Sequence, residues 1–421
     1  MYALVDVNTF YASCEKIFRP DLANKPVIVL SNNDGCVIAR SHEAKLLGVK
    51  MAAPLFQIGE LIQKHNITVF SSNYALYADM SARVMSILEE MAPAVEIYSI
   101  DEAFLNLSGV DYCTSLACFG QQIKDRIRRE AHLTVGVGIA PTKTLAKLAN
   151  HAAKVWRKTF GVVDLSSPVR QEKLLAITPV SEVWGIGRRL ARKLESMGIE
   201  NALALAHCDL AYIRRHFSVV VERTVRELRG QPCLAVEELA PAKQQILCSR
   251  SFSSRITEYE HLRQAVCRYA ERAAEKLRHE KQYCCQVSVF IRTSPHVPPG
   301  EYYGDQAIRV TYVPTNDTRD IIALAVEALN RIWKQGYRYC RAGVVLSDFY
   351  QQGVAQLDMF DARSPYANSA GLMDAIDRIN HSGKGKIWFA GQGITPGWSM
   401  KRERLSPAYT TRAEDLKVVI S

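Results

Sequence analysis

Two adjacent carboxylates, Asp101 and Glu102, stand between two short β-prone apolar runs, and this pattern restricts how the region folds. Neighbouring side chains on a regular strand point to opposite faces, so both acids can serve one site only where the chain turns or bulges. We therefore predict a hairpin with residues 94–98 and 103–107 as its arms and with the acids at its tip. A solvated turn is the alternative for an acidic pair on its own.

A third acid, Asp6, lies among apolar side chains in residues 2–7, a pattern typical of a buried strand. An unpaired carboxylate is costly to bury, so Asp6 is expected to bind a cation or a hydrogen-bond donor. Carboxylates without Cys or His partners favour Mg²⁺ or Mn²⁺ over Zn²⁺. Two such ions about 4 Å apart catalyse displacement at phosphorus, so the predicted reaction class is phosphoryl transfer.

Three segments, residues 6–15, 98–104 and 134–150, resemble in order and spacing the palm motifs of the Y-family translesion DNA polymerases. The resemblance covers nearly the whole chain and is strongest toward the branch with the catalytic subunit of bacterial DNA polymerase V and its plasmid-borne relatives. It implies an α/β multidomain fold, a right-hand polymerase with a ferredoxin-like palm, small fingers, a helical helix-hairpin-helix thumb and an α/β little finger. It also implies two Mg²⁺ ions, with Mn²⁺ as a possible substitute, held by the catalytic acids Asp6, Asp101 and Glu102 and by the main-chain carbonyl of Val7.

The same resemblance implies a nucleotide site after the first strand, at a strand-to-helix turn whose main-chain amides suit a triphosphate. The ring of Tyr11 would lie under the sugar and exclude a ribose 2′-hydroxyl. The alternative interpretation of both Tyr11 and Phe10 is that their rings pack in the core. Lys154 matches the family lysine that meets the triphosphate, whereas Lys147 and His151 on the same helix face are left open. The predicted nucleotide-binding residues are Asn8, Thr9, Phe10, Tyr11, Lys45 and Lys154.

The predicted fingers depart from the wider family pattern. His42 and Lys45 stand where that pattern has Tyr and Arg. Lys45 still offers a donor to phosphate, but it lacks the planar fork of Arg. A solvated surface helix is the alternative interpretation of this segment.

A turn containing Gly185 and Gly187 leads directly into a basic helix, which is the signature of a helix-hairpin-helix. Glycines let main-chain amides approach a DNA phosphate closely, and such contacts position the duplex without reading its sequence. A dinucleotide-binding fold would require a strand directly before the turn, and the sequence has none there. The predicted DNA-binding residues are Gly185, Gly187, Arg188 and Arg189.

The downstream pattern predicts a β-α-β-β-α-β little finger and then a poorly ordered tail. In the tail, Gln356, Leu357, Met359 and Phe360 resemble the box by which bacterial polymerases bind the sliding clamp. Its aromatic residues, among them Trp388, Phe389 and Trp398, suggest an exposed surface for a UmuD′ homodimer or for RecA. The predicted domains are the palm (1–19 and 71–165), fingers (20–70), thumb (166–232), little finger (241–350) and tail (351–421).

Composition agrees with these expectations. The net charge of +10 suits a polyanionic partner such as primed template DNA. The eleven cysteines form no CxxC pair, which favours reduced thiols and a cytoplasmic location. No basic start leads into an apolar signal segment, and no run approaches the roughly 18 apolar residues of a membrane span, so we expect no membrane partner.

Together these patterns predict an error-prone, template-directed DNA polymerase that uses dNTPs for translesion synthesis in SOS DNA repair and mutagenesis. Two other classes of function are left open. A palm-type nucleotidyl cyclase would share the acids but would not need the thumb or the clamp box. A DNA-binding scaffold with an inactive palm would lack one of the three acids, and all three are present.

Overall fold

The computed structural model describes residues 1–237, 241–298, 300–351, 366, 368–382, 385–394 and 397–415. The chain divides into two compact units. The first comprises residues 1–31, 35–240 and 404–421, and the second comprises residues 32–34 and 241–403. The first unit is therefore discontinuous, because the chain leaves it and returns to it at Arg404.

The first unit alternates strands and helices and then becomes all helical. Its elements are, in chain order, β1 (Tyr2–Val7), α1 (Phe10–Ile17), β2 (Val27–Leu30), β3 (Val37–Arg40), α2 (His42–Leu46), α3 (Gly59–His65), β4 (Thr68–Ser71), α4 (Tyr74–Met91), β5 (Ala94–Ile97), β6 (Glu102–Asn106), α5 (Leu116–Ala131), β7 (Val135–Ala140), α6 (Lys143–Val155), β8 (Val162–Asp164), α7 (Pro168–Ile177), α8 (Arg188–Glu195), α9 (Ala202–His207), α10 (Leu210–His216) and α11 (Val219–Leu228).

The central sheet has the strand order β5-β6-β1-β7-β8. Strand β1 runs antiparallel to both β6 and β7, and β5 and β6 form the predicted hairpin. Side chains alternate between faces along β1. Ala3, Val5 and Val7 pack in the core that includes α4 and α5, whereas Leu4 packs in the core that includes α6. Asp6 follows Leu4 by two residues and therefore shares its face of the sheet.

Helix α6 packs closely on the sheet because β7 has a glycine at position 138. A Cβ built on Gly138 would overlap the main chain of Asn150 and Ala146, so only glycine fits there. The buried Asn150 side chain uses this proximity, since its Nδ2 donates to the main-chain oxygens of Leu4 at 3.2 Å and Gly136 at 2.7 Å. These bonds tie α6 to both central strands.

Two smaller parts complete the first unit. Strands β3, β2 and β4 form a three-stranded sheet in that order, with Ile28 and Leu30 fully buried beneath its helices. Helices α7 to α11 share a core with α6. Before Gly185, residues Val180–Glu182 form a 3₁₀ turn.

The second unit confirms the predicted β-α-β-β-α-β order. It contains β9 (Gln245–Ile256), α12 (Tyr259–His279), β10 (Gln282–Thr293), β11 (Gly304–Thr315), α13 (Thr318–Ile332), β12 (Tyr339–Gln351) and α14 (Ser369–His381). The antiparallel sheet has the order β11-β10-β12-β9 and shares a core with α12 and α13. No helix in the described ranges is long and apolar enough to cross a membrane.

The described part of the tail is more ordered than the sequence predicts. Asp377 on α14 accepts a two-pronged hydrogen bond from the Arg278 guanidinium, with both distances 2.7 Å. Trp398 is only 5% exposed and packs against Phe252 and Tyr269, so the prediction of an exposed surface is wrong for this ring. Trp388 is half-exposed, as predicted.

Beyond the second unit, the chain returns to the first. The Ser71 N–H donates to the main-chain oxygen of Arg404 at 2.9 Å, and the Arg404 N–H donates to Ser71 Oγ at 3.0 Å. Further along, the buried ring of Tyr409 stacks on Phe18, with the ring centroids 4.6 Å apart. We refer to residues 404–409 as the return segment.

The return segment meets a buried acid. Glu15 is 0% exposed, and its Oε1 accepts hydrogen bonds from the hydroxyls of Tyr77 at 2.6 Å and Ser406 at 3.0 Å. Its Oε2 has no hydrogen-bond partner among the described residues. Burial raises the pKa of the Glu15 carboxyl to about 7, and the two hydroxyl donors act in the opposite direction. Glu15 is therefore neutral in mildly acidic solution.

This raised pKa links the stability of the protein to pH. The stabilisation from protonated Glu15 is fully present below its ordinary pKa of 4.5 and is lost as the pH rises through about 7. Glu15→Gln keeps the shape without the charge, so its unfolding free energy should exceed that of the wild type increasingly from pH 5 to pH 8, by at most about 3 kcal/mol. Thermal melts at both pH values measure this, with the exposed Glu89→Gln as the control. A gain that does not depend on pH would contradict the assignment.

Candidate active site

Two of the predicted catalytic acids form a pair on neighbouring strands of the central sheet. Asp6 on β1 is directly opposite Glu102 on β6 in the antiparallel register. Their neighbours on the same face, Leu4 and Phe104, both pack in the core that includes α6. The side-chain alternation that buries Leu4 and Phe104 therefore brings both carboxylates beneath α6.

Helix α6 places a lysine over each acid. Lys154 Nζ lies 2.5 Å from Asp6 Oδ1, and Lys147 Nζ lies 3.1 Å from both carboxylate oxygens of Glu102. The two lysines are seven residues apart, which is close to two helical turns, so they share one face of the helix. The structure thus explains Lys147, whose role the sequence leaves open.

Asp101 occupies the hairpin tip that the sequence predicts. Its main-chain oxygen accepts a 2.8 Å hydrogen bond from the Val7 N–H, which attaches the tip to the end of β1. Its carboxylate accepts a 2.6 Å hydrogen bond from the Ser99 hydroxyl. These contacts bring Asp101 and Val7 beside the facing pair of acids.

The electrostatics of this group suit a divalent cation. Burial raises the pKa of the Asp6 carboxyl, nearby Asp101 and Glu102 raise it further, and Lys154 acts to lower it. Among the described residues, no three acidic, histidine or cysteine side chains form a ready-made metal site. The lysine contacts hold Asp6 and Glu102 instead. A set of oxygen donors with mutual repulsion fits hard ions such as Mg²⁺.

The predicted nucleotide residues follow directly after β1. The Asn8 N–H donates to the main-chain oxygen of Thr134 at 2.9 Å, and Thr9 adopts a left-handed conformation with φ of 48° before α1 begins. Phe10 is buried in the core, as one interpretation of the sequence has it. This turn sets the direction in which α1 leaves the sheet.

Tyr11 is partly buried and packs among other aromatic rings. Its ring stacks on Tyr77 with centroids 4.4 Å apart and meets Tyr74 edge-on at 6.2 Å. Burial raises the pKa of the Tyr11 hydroxyl, and Tyr74 and Asp101 raise it further.

Lys147 also lies among aromatic rings. Its Nζ is 4.3 Å from the ring centroid of Tyr98 and 5.1 Å from that of Trp184. Cation–π contacts of this kind favour the charged ammonium group. They hold Lys147 beside Glu102 and connect the acid to the loop before Gly185. The i, i+7 spacing with Lys154 is a sequence signal for this residue, but its ring partners come from distant segments.

Other predicted residues lie apart from the acids or outside the description. Lys45 is exposed on α2 and has no side-chain hydrogen bond or ion pair with another described residue. Gly185 has a φ of +88°, and a Cβ at Gly187 would meet only open space. Arg188 and Arg189 are exposed at the start of α8. The proposed clamp box, residues 356–360, lies outside the described residues.

Comparison with known proteins identifies matching regions along most of the chain. The impB/mucB/samB family matches residues 5–151, its C-terminal domain matches residues 243–359, and its helix-hairpin-helix motif matches residues 168–199. A domain of unknown function matches residues 370–419.

Individual relatives and a solved structure agree with the family match. The protein UmuC of Salmonella typhimurium is 59% identical over 418 residues, 99% of each chain. A DNA polymerase IV of Akkermansia muciniphila is 31% identical over 65% of this chain and 74% of its own. A solved Y-family chimera of the Dbh and Dpo4 polymerases has a TM-score of 0.67 at 20% identity, and the match covers 83% of this chain and 99% of the chimera.

The fold and the relatives define a DNA-directed DNA polymerase of the right-hand type. The chain belongs to the impB/mucB/samB family, and it is a UmuC-like member of the Y-family polymerases.

Proposed function

We propose that this polymerase performs error-prone, template-directed synthesis across damaged DNA in SOS repair and mutagenesis. The observation that carries the proposal is the register of Asp6 opposite Glu102, with Asp101 at the adjoining hairpin tip. This arrangement places acidic oxygen donors where β1, β6 and α6 meet. The identity with UmuC over 99% of both chains supports the lesion-bypass role.

The acids would bind the divalent ions through the side chains of Asp6, Asp101 and Glu102 and the main-chain oxygen of Val7. When bound, two Mg²⁺ ions, or Mn²⁺ in their place, would activate the primer 3′-hydroxyl and neutralise charge on the leaving pyrophosphate. The hydrogen bond from Val7 to Asp101 supports this role because it fixes the hairpin tip against β1.

The incoming nucleotide would lie over the turn after β1. Lys154 would move from Asp6 to the triphosphate, and Lys45 would contact the phosphates from α2. Asn8, Thr9 and Phe10 would shape the turn whose amides face the phosphates. Tyr11 would exclude a ribose sugar, and the packing of its ring against Tyr77 and Tyr74 supports that role because it limits the movement of the ring.

DNA would bind through Gly185, Gly187, Arg188 and Arg189. The open space at the Cβ position of Gly187 supports this role, because no protein atom competes there with a phosphate. The proposed partners are a UmuD′ homodimer, RecA and the sliding clamp. The tail would provide the clamp contact through Gln356, Leu357, Met359 and Phe360.

The first prediction from the proposed function tests whether Asp101 is needed for catalysis. Asp101→Asn keeps the side-chain volume but removes the charge, so primer extension with Mg²⁺ should fall at least about a hundredfold. Binding of primed DNA should persist, because the proposed DNA contacts lie elsewhere. Single-turnover incorporation and a binding assay on the same preparation measure the two effects. Wild-type incorporation by the variant would remove Asp101 from the catalytic group.

The second prediction tests the sugar gate. Tyr11→Ala opens space beside the sugar and leaves the acids in place, so the ratio of ribonucleotide to deoxynucleotide incorporation should rise about tenfold or more. Steady-state kcat/KM for matched rNTP and dNTP pairs measures this ratio. Tyr112→Ala, at an exposed position, is the control. An unchanged ratio would assign Tyr11 to packing alone.

The third prediction separates recruitment from chemistry. Replacing Leu357, Met359 and Phe360 by Ala removes apolar side chains that each contribute roughly 1.5 to 3 kcal/mol when buried in a pocket. Clamp-stimulated synthesis should be lost, and extension without the clamp should not change. Because a tether raises the effective concentration, the defect should shrink as the enzyme concentration increases. Loss of clamp-independent synthesis would indicate a structural role for the segment.

A further inference from the structure

The return segment contacts the two helices that hold Tyr11. It reaches α4 through Asn73, whose Nδ2 donates to Ser406 Oγ at 3.0 Å and to the main-chain oxygen of Ser406 at 3.1 Å. Asn73 is also the N-cap of α4, since its side chain accepts a hydrogen bond from the Leu76 N–H. The segment reaches α1 through Glu15 and through Phe18, on which Tyr409 stacks.

A short chain of contacts leads from Ser406 to Tyr11. The Ser406 hydroxyl donates to Glu15 Oε1, and the Tyr77 hydroxyl donates to the same oxygen. The ring of Tyr77 then stacks on Tyr11 with an interplanar angle of 15°. Glu15 and Tyr77 are both 0% exposed, so water does not compete for these bonds.

We propose that the return segment braces the ring of Tyr11, and that Ser406 is a positioning residue for the choice between ribose and deoxyribose. This inference rests on the gate role proposed for Tyr11. It assigns a function to part of the region that matches a domain of unknown function. Ser406 does not touch the nucleotide, and it acts through Glu15 and Tyr77.

The physical basis is the narrow tolerance of a steric gate. Tyr11 can reject a 2′-hydroxyl only if its ring cannot move aside when the larger sugar enters. The Tyr11 ring packs on Tyr77, so any movement of Tyr77 would also let the Tyr11 ring move. Tyr77 is held by its hydroxyl bond to Glu15, which belongs to the same helix as Tyr11. Ser406 provides the second donor to that carboxylate and links it to the start of α4.

The test compares sugar selection in the full-length protein and a set of matched variants. Ser406→Ala removes one hydroxyl, and we expect it to reduce the dNTP preference over rNTP about three- to tenfold, the effect of one lost hydrogen bond. Ser399→Ala, an exposed position in the same tail, is the control and should leave the preference unchanged. Ser406→Thr keeps the hydroxyl, so this variant should show the wild-type preference for dNTPs over rNTPs.

Additional measurements separate positioning from general stability. If Ser406 acts through the gate, kcat/KM for rNTPs should rise in Ser406→Ala while that for dNTPs changes less, whereas a merely unstable protein would lose both. In Tyr11→Ala, the added Ser406→Ala change should have no further effect on the ratio. Hydrogen exchange should become faster in residues 74–77.

The outcomes distinguish this inference from the proposed gate. If Tyr11→Ala relaxes sugar selection and Ser406→Ala does not, the brace is refuted and the gate stands. If Tyr11→Ala has no effect, the gate fails and the brace fails with it. An equal reduction of both kcat/KM values in Ser406→Ala, with no rescue by Thr, would also overturn the brace.

Discussion

The candidate active site depends on a balance of charge, because two acidic side chains lie on the face of the central sheet that α6 covers. Asp6 and Glu102 are placed opposite each other by the register of β1 and β6, and their repulsion would be costly without positive charge nearby. Helix α6 provides that charge through Lys147 and Lys154. The helix can do so because glycine at 138 lets its main chain approach β7. One residue without a side chain thus sets the distance between the sheet and the lysines.

Within the candidate active site, the sequence predicted those features that depend on a single short segment of the chain. Adjacent acids between two strand-like runs specify a hairpin tip, because side-chain alternation otherwise separates them. The resemblance to Y-family polymerases added Lys154 and Tyr11. Lys147 could not be assigned in this way, because Glu102 and the ring of Trp184 reach it from separate elements. Spacing along a helix shows which residues share a face, but not what covers that face.

The tail also depends on contacts between distant segments, which the sequence pattern did not reveal. Gly, Ser and Pro residues indicate a chain without regular secondary structure, and most of the return segment indeed lacks it. Order here comes instead from tertiary contacts, such as the stack of Tyr409 on Phe18 and the burial of Trp398 against α12 and β9. Composition describes the local chain. It contains little information about partners hundreds of positions away.

The discontinuity of the first unit affects how the protein is made. Ser406 and Glu15 are 391 positions apart, yet they share a buried hydrogen bond. During synthesis, the amino-terminal part of the unit leaves the ribosome long before the return segment exists. Until then, Glu15 lacks one donor and Phe18 lacks its stacking partner. Because the return segment is translated near the end of the chain, this core is completed only when translation has nearly ended. A ribosome that stops within the tail therefore releases a polymerase whose first-made unit is unfinished.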